Sequence, residues 1–260
     1  MSDKLSRELE SFQSAWRGGY YEGDPLRPLA PSGFGVLNYM SILHATYLRC
    51  IKPYVKPDTT ALEIGPGRGA WTKALLPAKE VWAMDALSAE HNATYEYLGH
   101  PKNLKYFQVC DFRCEMLPEN YFDYMFSFGC LCHVSFAGIT EYAHNIHSKL
   151  KPGATCFWLV ADYDKYNEAA RRLDDYSVWR HLTPAKVKYA PLRWVLRLFE
   201  KFMRRPKQLE MDKNDEPSPC RWYHAGAKRT CRMLEQEGYR IVDEDVGTCF
   251  RDPIIQFTKP

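Results

Sequence analysis

The sequence predicts an α/β protein in which helices cover both faces of a mostly parallel sheet. Three observations carry the prediction. Short apolar runs alternate with stretches of helical period between residues 59 and 162. A glycine-rich turn, GPGRG at 65–69, joins one such run to a helix, and an acid ends the next run at Asp85. Strands that alternate with helices read as crossover units, and crossover units build parallel sheets.

Composition fits this class. The 260 residues suit one domain with additions, and 45% of them are hydrophobic, enough for a sizeable core. A net charge of +3 is too slight to name a partner. No apolar run approaches the roughly 18 residues of a membrane-spanning helix. The opening MSDKLSRELESFQSAW is charged and helical in period, unlike a secretion signal. Nine cysteines without a CxxC pair read as reduced thiols, so a cytoplasmic setting is expected. Cys130, Cys132 and His133 stand together, but no second knuckle accompanies them, and no metal site is expected.

The elements follow in order. A helix is expected over 3–16, where Leu5, Leu9, Phe12 and Trp16 recur at helical spacing. Residues 18–35 are rich in glycine and proline and read as loop. A second helix spans 36–51 and is closed by Pro53 and Pro57. Strands are expected at 59–65, 80–86, 105–112, 121–131 and 154–162, with helices at 70–77 and 138–150. The alternation breaks at 163–222 and resumes with a helix at 226–237 and strands at 239–246 and 253–259. One domain is therefore expected: a helical cap (1–57), a core (58–162), an inserted cap segment (163–222) and completion of the core (223–260).

The sharpest signal is Glu63-Ile64-Gly65-Pro66-Gly67-Arg68-Gly69. A strand turning abruptly into a helix needs residues without Cβ where backbone approaches a ligand. The helix start then offers free N–H groups to it. Gly65, Gly67 and Ala70 also satisfy the dinucleotide-binding pattern by count. Glu63 at the strand tip is placed to meet an ammonium, and Asp85, 20 residues after Gly65, to accept both hydroxyls of a ribose. Asp111 ends the third strand. The alternative is a tight turn with solvated acids at loop ends.

These residues, with the Asp111-Phe112 pair and the FDYMFSFGCLCHV strand at 122–134, resemble the class I S-adenosylmethionine-dependent methyltransferase family. The resemblance covers roughly 58–162. It implies a Rossmann-like, seven-stranded sheet with S-adenosylmethionine as cofactor. By resemblance, Glu63, Gly65, Gly67 and Gly69 wrap the methionine part, Asp85 holds the ribose, and Asp111 and Phe112 lie beside the adenine. Phe128 joins this cofactor-binding set. Pro66 departs from the pattern and stiffens the turn.

His133 follows the fourth strand and is the candidate general base, because an imidazole pKa of about 6.5 suits proton removal near neutrality. The segment SFGCLCHVS also resembles sugar O-methyltransferases, a likeness that extends to residues 19–35 and to RDPIIQF. That implies substrate contacts from Tyr20 and Tyr21, with Asp24 reaching acceptor hydroxyls; the alternative is that they fasten the cap. Asp162 and His224 complete the candidate substrate set, His224 alternatively docking the insertion. Residues 171–207 hold 11 Lys and Arg against 3 acids. They read as a cap or dimer surface, an anionic-acceptor site or an anionic-membrane contact, and not as a nucleic-acid track. The expected reaction is O-methylation of a sugar or other small polar acceptor. The alternatives are an N- or lipid-head-group methyltransferase, or a catalytically silent cofactor-binding module.

Overall fold

A computed structural model of the chain describes residues 3–29, 40–175 and 222–260. Helices α1 (Asp3–Ser6) and α2 (Glu8–Ala15) open it, so the helix expected over 3–16 is broken at Arg7. Helix α3 (Ile42–Thr46) runs on into a wider π-type turn, Tyr47–Ile51. The core then alternates: β1 (Thr60–Ile64), α4 (Ala70–Leu75), β2 (Glu80–Asp85), α5 (Thr94–Leu98), β3 (Leu104–Gln108), β4 (Phe122–Ser127), α6 (Phe136–His147) and β5 (Leu150–Leu159). Helix α7 (Tyr163–Asp175) forms the start of the expected insertion, a polar stretch for which the sequence named no helix. Helix α8 (Ala227–Gln236), β6 (Arg240–Asp243) and β7 (Ile254–Thr258) complete the fold. The rest of the insertion, and most of the basic segment 171–207, lie outside the described residues.

The seven strands lie in the order β3-β2-β1-β4-β5-β7-β6. Strands β1 to β5 pair in parallel, while β7 runs antiparallel to both β5 and β6. Alternate residues of each strand feed two cores, as expected of a sheet covered on both faces. On one face Leu62, Ile64, Met84 and Met125 pack with Leu5 and Leu9 and with Ile139, Tyr142 and Ile146 of α6. On the other, Ala61, Ala83, Tyr124 and Phe126 pack with Cys50, Ile51 and the α4 residues Trp71, Ala74 and Leu75.

This topology places the site. From β1 the chain winds outward to β2 and β3, then returns to β4 on β1's other side. The order reverses there, and the crevice beyond the carboxyl ends of β1 and β4 is where open α/β sheets bind ligands.

Candidate active site

Backbone sterics build the turn after β1. Gly65, Gly67 and Gly69 have φ of 73°, 52° and 103°, a region that side-chain-bearing residues avoid. At Gly65 there is a second reason for glycine. A Cβ there would stand 2.2 Å from Cys130 Cβ and 2.4 Å from its Sγ, so the turns after β1 and β4 touch directly. The Gly67 N–H donates to Asp85 Oδ2 at 3.1 Å, and the Leu87 N–H donates to Oδ1 at 2.9 Å. The Arg68 N–H donates to the Tyr20 carbonyl at 3.0 Å, tying the amino-terminal segment to the same turn.

Between these turns lies a cavity holding about 640 Å³ of empty space, part of it open to solvent. Gly65, Gly67, Asp85 and Leu87 form one side, Cys130 and His133 another. The remaining wall comes from the amino terminus: Leu9, Phe12, Trp16 and Tyr20. The Trp16 ring stands 5.0 Å from the His133 ring and 6.3 Å from that of Tyr20. Burial pushes the Asp85 carboxyl above its ordinary range, against the pull of the N–H donors of Leu87 and Gly67.

Glu63 is not in the cavity wall. Side chains alternate along β1, so Glu63 shares a face with Ala61 and points to α4, where Thr72 Oγ1 donates to its Oε2 at 2.6 Å. With 1% of the residue exposed, burial drives its pKa from 4.5 to about 8; Thr72 opposes the shift, and Glu22 and Asp85 add to it. A carboxyl whose folded pKa is raised favours folding below its unfolded value and loses that contribution as pH rises through the folded one. Glu63→Gln keeps an acceptor for Thr72 without the charge. In the ligand-free protein its thermal midpoint should therefore gain on the wild type steadily from pH 5 to 8. Parallel midpoint curves would contradict this.

Four other expected cofactor residues are also not among those lining the cavity: Gly69, which faces Leu98 and Thr94, and Asp111, Phe112 and Phe128. Strand β3 ends at Gln108, so Asp111 falls in the loop beyond, accepting the Arg113 N–H at 2.9 Å and pairing with its side chain at 3.7 Å. Phe112 is fully buried against Tyr142, with ring centroids 4.8 Å apart, and it is Tyr142 that reaches the cavity. Phe128 follows the alternation of Tyr124 and Phe126 to the α4 face and packs on Trp71 at 4.6 Å.

Of the expected substrate residues, Tyr20 lines the cavity. Tyr21 packs edge-on against Tyr97 at 5.4 Å, and Asp24 binds Lys73 Nζ at 2.9 Å, so both fasten the segment to the core. Asp162 is 9% exposed and caps two helices: Oδ1 accepts the N–H groups of Asp164 and Lys165, and Oδ2 that of Ala227. The Tyr163 N–H donates to His224 Nδ1 at 2.9 Å. Asp162 and His224 therefore brace α7 and α8, and neither is among the residues that line the cavity.

Residues not singled out in the sequence also belong here. Asn92 lines the cavity, its Oδ1 accepting the Gly19 N–H at 2.9 Å. Glu22 accepts from Trp71 Nε1 at 2.5 Å, and burial raises its pKa. Neither had a signal in spacing or residue type. Among the described residues no three or more His, Cys, Asp or Glu side chains gather as a metal site, and no helix is long and apolar enough to cross a membrane.

Residues 39–202 match the profile of a family described as a methyltransferase domain. No curated protein matches the sequence. Among solved structures, the chain is similar to the N-methyltransferase NodS from Bradyrhizobium japonicum WM9 in complex with S-adenosyl-l-homocysteine. There the TM-score is 0.55 at 14% identity, over 96% of this chain and 98% of that one. A Listeria monocytogenes protein provisionally assigned as an S-adenosylmethionine-dependent methyltransferase gives 0.54 at 13% identity, over 84% of this chain and 98% of that one. The mitomycin 7-O-methyltransferase MmcR gives 0.51 at 12% identity over 85% of this chain, which spans 54% of that enzyme's length. At such identities the likeness is one of fold.

Proposed function

The chain belongs to the methyltransferase-domain family, and on that premise we propose that it uses S-adenosylmethionine to methylate a hydroxyl of a sugar or other small polar acceptor. The observation that carries this reading is the cavity at the sheet's reversal point, with Asp85 and the Gly65–Gly67 backbone on one side and His133 on the other.

The residues present fit the cofactor. Asp85 lines the cavity with its oxygens accepting the N–H groups of Gly67 and Leu87, and a carboxylate is the acceptor a ribose hydroxyl needs. Asp85 would hold the ribose, the glycine turn the methionine part, and Leu87 and Val134 would give apolar walls. When bound, S-adenosylmethionine supplies a methyl group on a sulfonium, whose positive charge is lost on transfer. The protein's part is to hold the acceptor in line, worth on the order of 7–11 kcal/mol, and to take its proton. His133 accepts that proton as the acceptor oxygen gains its new bond to carbon. The Trp16 ring stands beside it, with centroids 5.0 Å apart.

Titration calorimetry with S-adenosylhomocysteine tests the reading. Asp85→Asn replaces a charge-assisted acceptor by a neutral one, and affinity should fall about 10- to 100-fold. Unchanged affinity, or no binding by the wild type, would contradict it.

A further inference from the structure

Glu8 lies far from the glycine turn in sequence, yet it is 2% exposed. Its Oε1 accepts the Ser135 N–H at 2.6 Å, and its Oε2 accepts from the Ser135 hydroxyl at 2.7 Å. Ser135 caps α6, its Oγ accepting the Gly138 N–H at 3.1 Å. The helix start is hollowed for this carboxylate. A Cβ on Gly138 would stand 3.0 Å from Glu8 Oε2, 2.6 Å from Phe112 and 2.7 Å from Val134. Bonds of a carboxylate to N–H and O–H donors at a helix start are strong ones, since charge and helix dipole act together.

What this contact joins is the cavity. On Glu8's side, helix α2 and the residues just beyond it carry Leu9, Phe12 and Trp16 into the wall; on Ser135's side, His133 is two residues upstream. We propose that Glu8 is a positioning residue: its contact with Ser135 holds the amino-terminal wall against the His133 turn and so sets how long the cofactor stays. The proposal rests on the function argued above. Uptake and departure of cofactor then go with release of Glu8 from Ser135.

Stopped-flow dissociation of S-adenosylhomocysteine from the full chain tests it. Glu8→Ala should speed dissociation about tenfold or more, since it removes two charge-assisted bonds. Glu8→Gln, which keeps one oxygen acceptor toward Ser135, should recover part of the wild-type rate. Ser135→Ala, which keeps the N–H, should fall between Glu8→Ala and wild type, and it carries the test should Glu8→Ala not fold. In the double variant Glu8→Ala/Ser135→Ala the added effect of Ser135→Ala should be smaller than in wild type, because the contact with Glu8 is already gone and only the cap on Gly138 remains to be lost. A lowered thermal midpoint with an unchanged dissociation rate would make Glu8 a structural anchor only and overturn the proposal. A wild type that does not bind S-adenosylhomocysteine overturns the functional reading instead.

Discussion

Gly65→Ala should abolish measurable S-adenosylhomocysteine binding and remove a large share of the protein's stability. Two costs add. A side chain at φ 73° is strained by about 1–2 kcal/mol. The new Cβ must also push Cys130 away from 2.2 Å, which as overpacking costs about 1–3 kcal/mol or more. The total of several kcal/mol compares with the roughly 5–15 kcal/mol that holds a typical domain folded. What relaxation remains would part the two turns that bound the cavity. Gly153→Ala is the control: φ there is 82°, but nothing lies within 4 Å of the added Cβ, so only the strain remains. Denaturant unfolding of both variants checks the argument. Equal losses would show that the contact with Cys130 is not the cause.

His133→Ala should lower turnover by about 10²- to 10⁴-fold, the usual contribution of a positioned general base, while S-adenosylhomocysteine affinity changes only a few-fold. The ring lies beside Trp16 in the cavity lining and makes none of Asp85's N–H contacts, so its removal leaves the glycine turn and those donors untouched. The assay needs an acceptor first, and formation of S-adenosylhomocysteine over a collection of metabolites and sugar nucleotides would find one. Unchanged turnover would favour a nucleophile that needs no base, such as a neutral amine. Equal loss of turnover and affinity would assign His133 a structural role.

The sheet, and the meeting of the glycine turn, Asp85 and His133 at one cavity, could be read from sequence because their signals are local. Glycine is required by backbone angle, and an acid at a strand's end next to the reversal point faces the crevice whatever the packing. Asp162 shows the limit of that rule. It too follows a strand, but it stands at β5, away from the reversal, and the N–H groups of α7 and α8 consume it. Glu63 and Phe128 depended on which face of the sheet meets α4, which alternation along one strand cannot reveal. Phe112 lies in a loop past β3, where no periodicity applies. The stripe Leu9, Phe12, Trp16 announced burial but not its partner, because that partner, the turn at 130–135, lies more than a hundred residues away. Helix α7 was hidden by its polar composition.

The most direct measurement is a crystal structure of the protein with S-adenosylhomocysteine. Both ribose hydroxyls should lie within hydrogen-bond distance of Asp85, with the thioether sulfur beside the turn that carries Cys130 and His133. A nucleoside bound elsewhere, or Asp85 left without a ligand contact, would contradict the assignment.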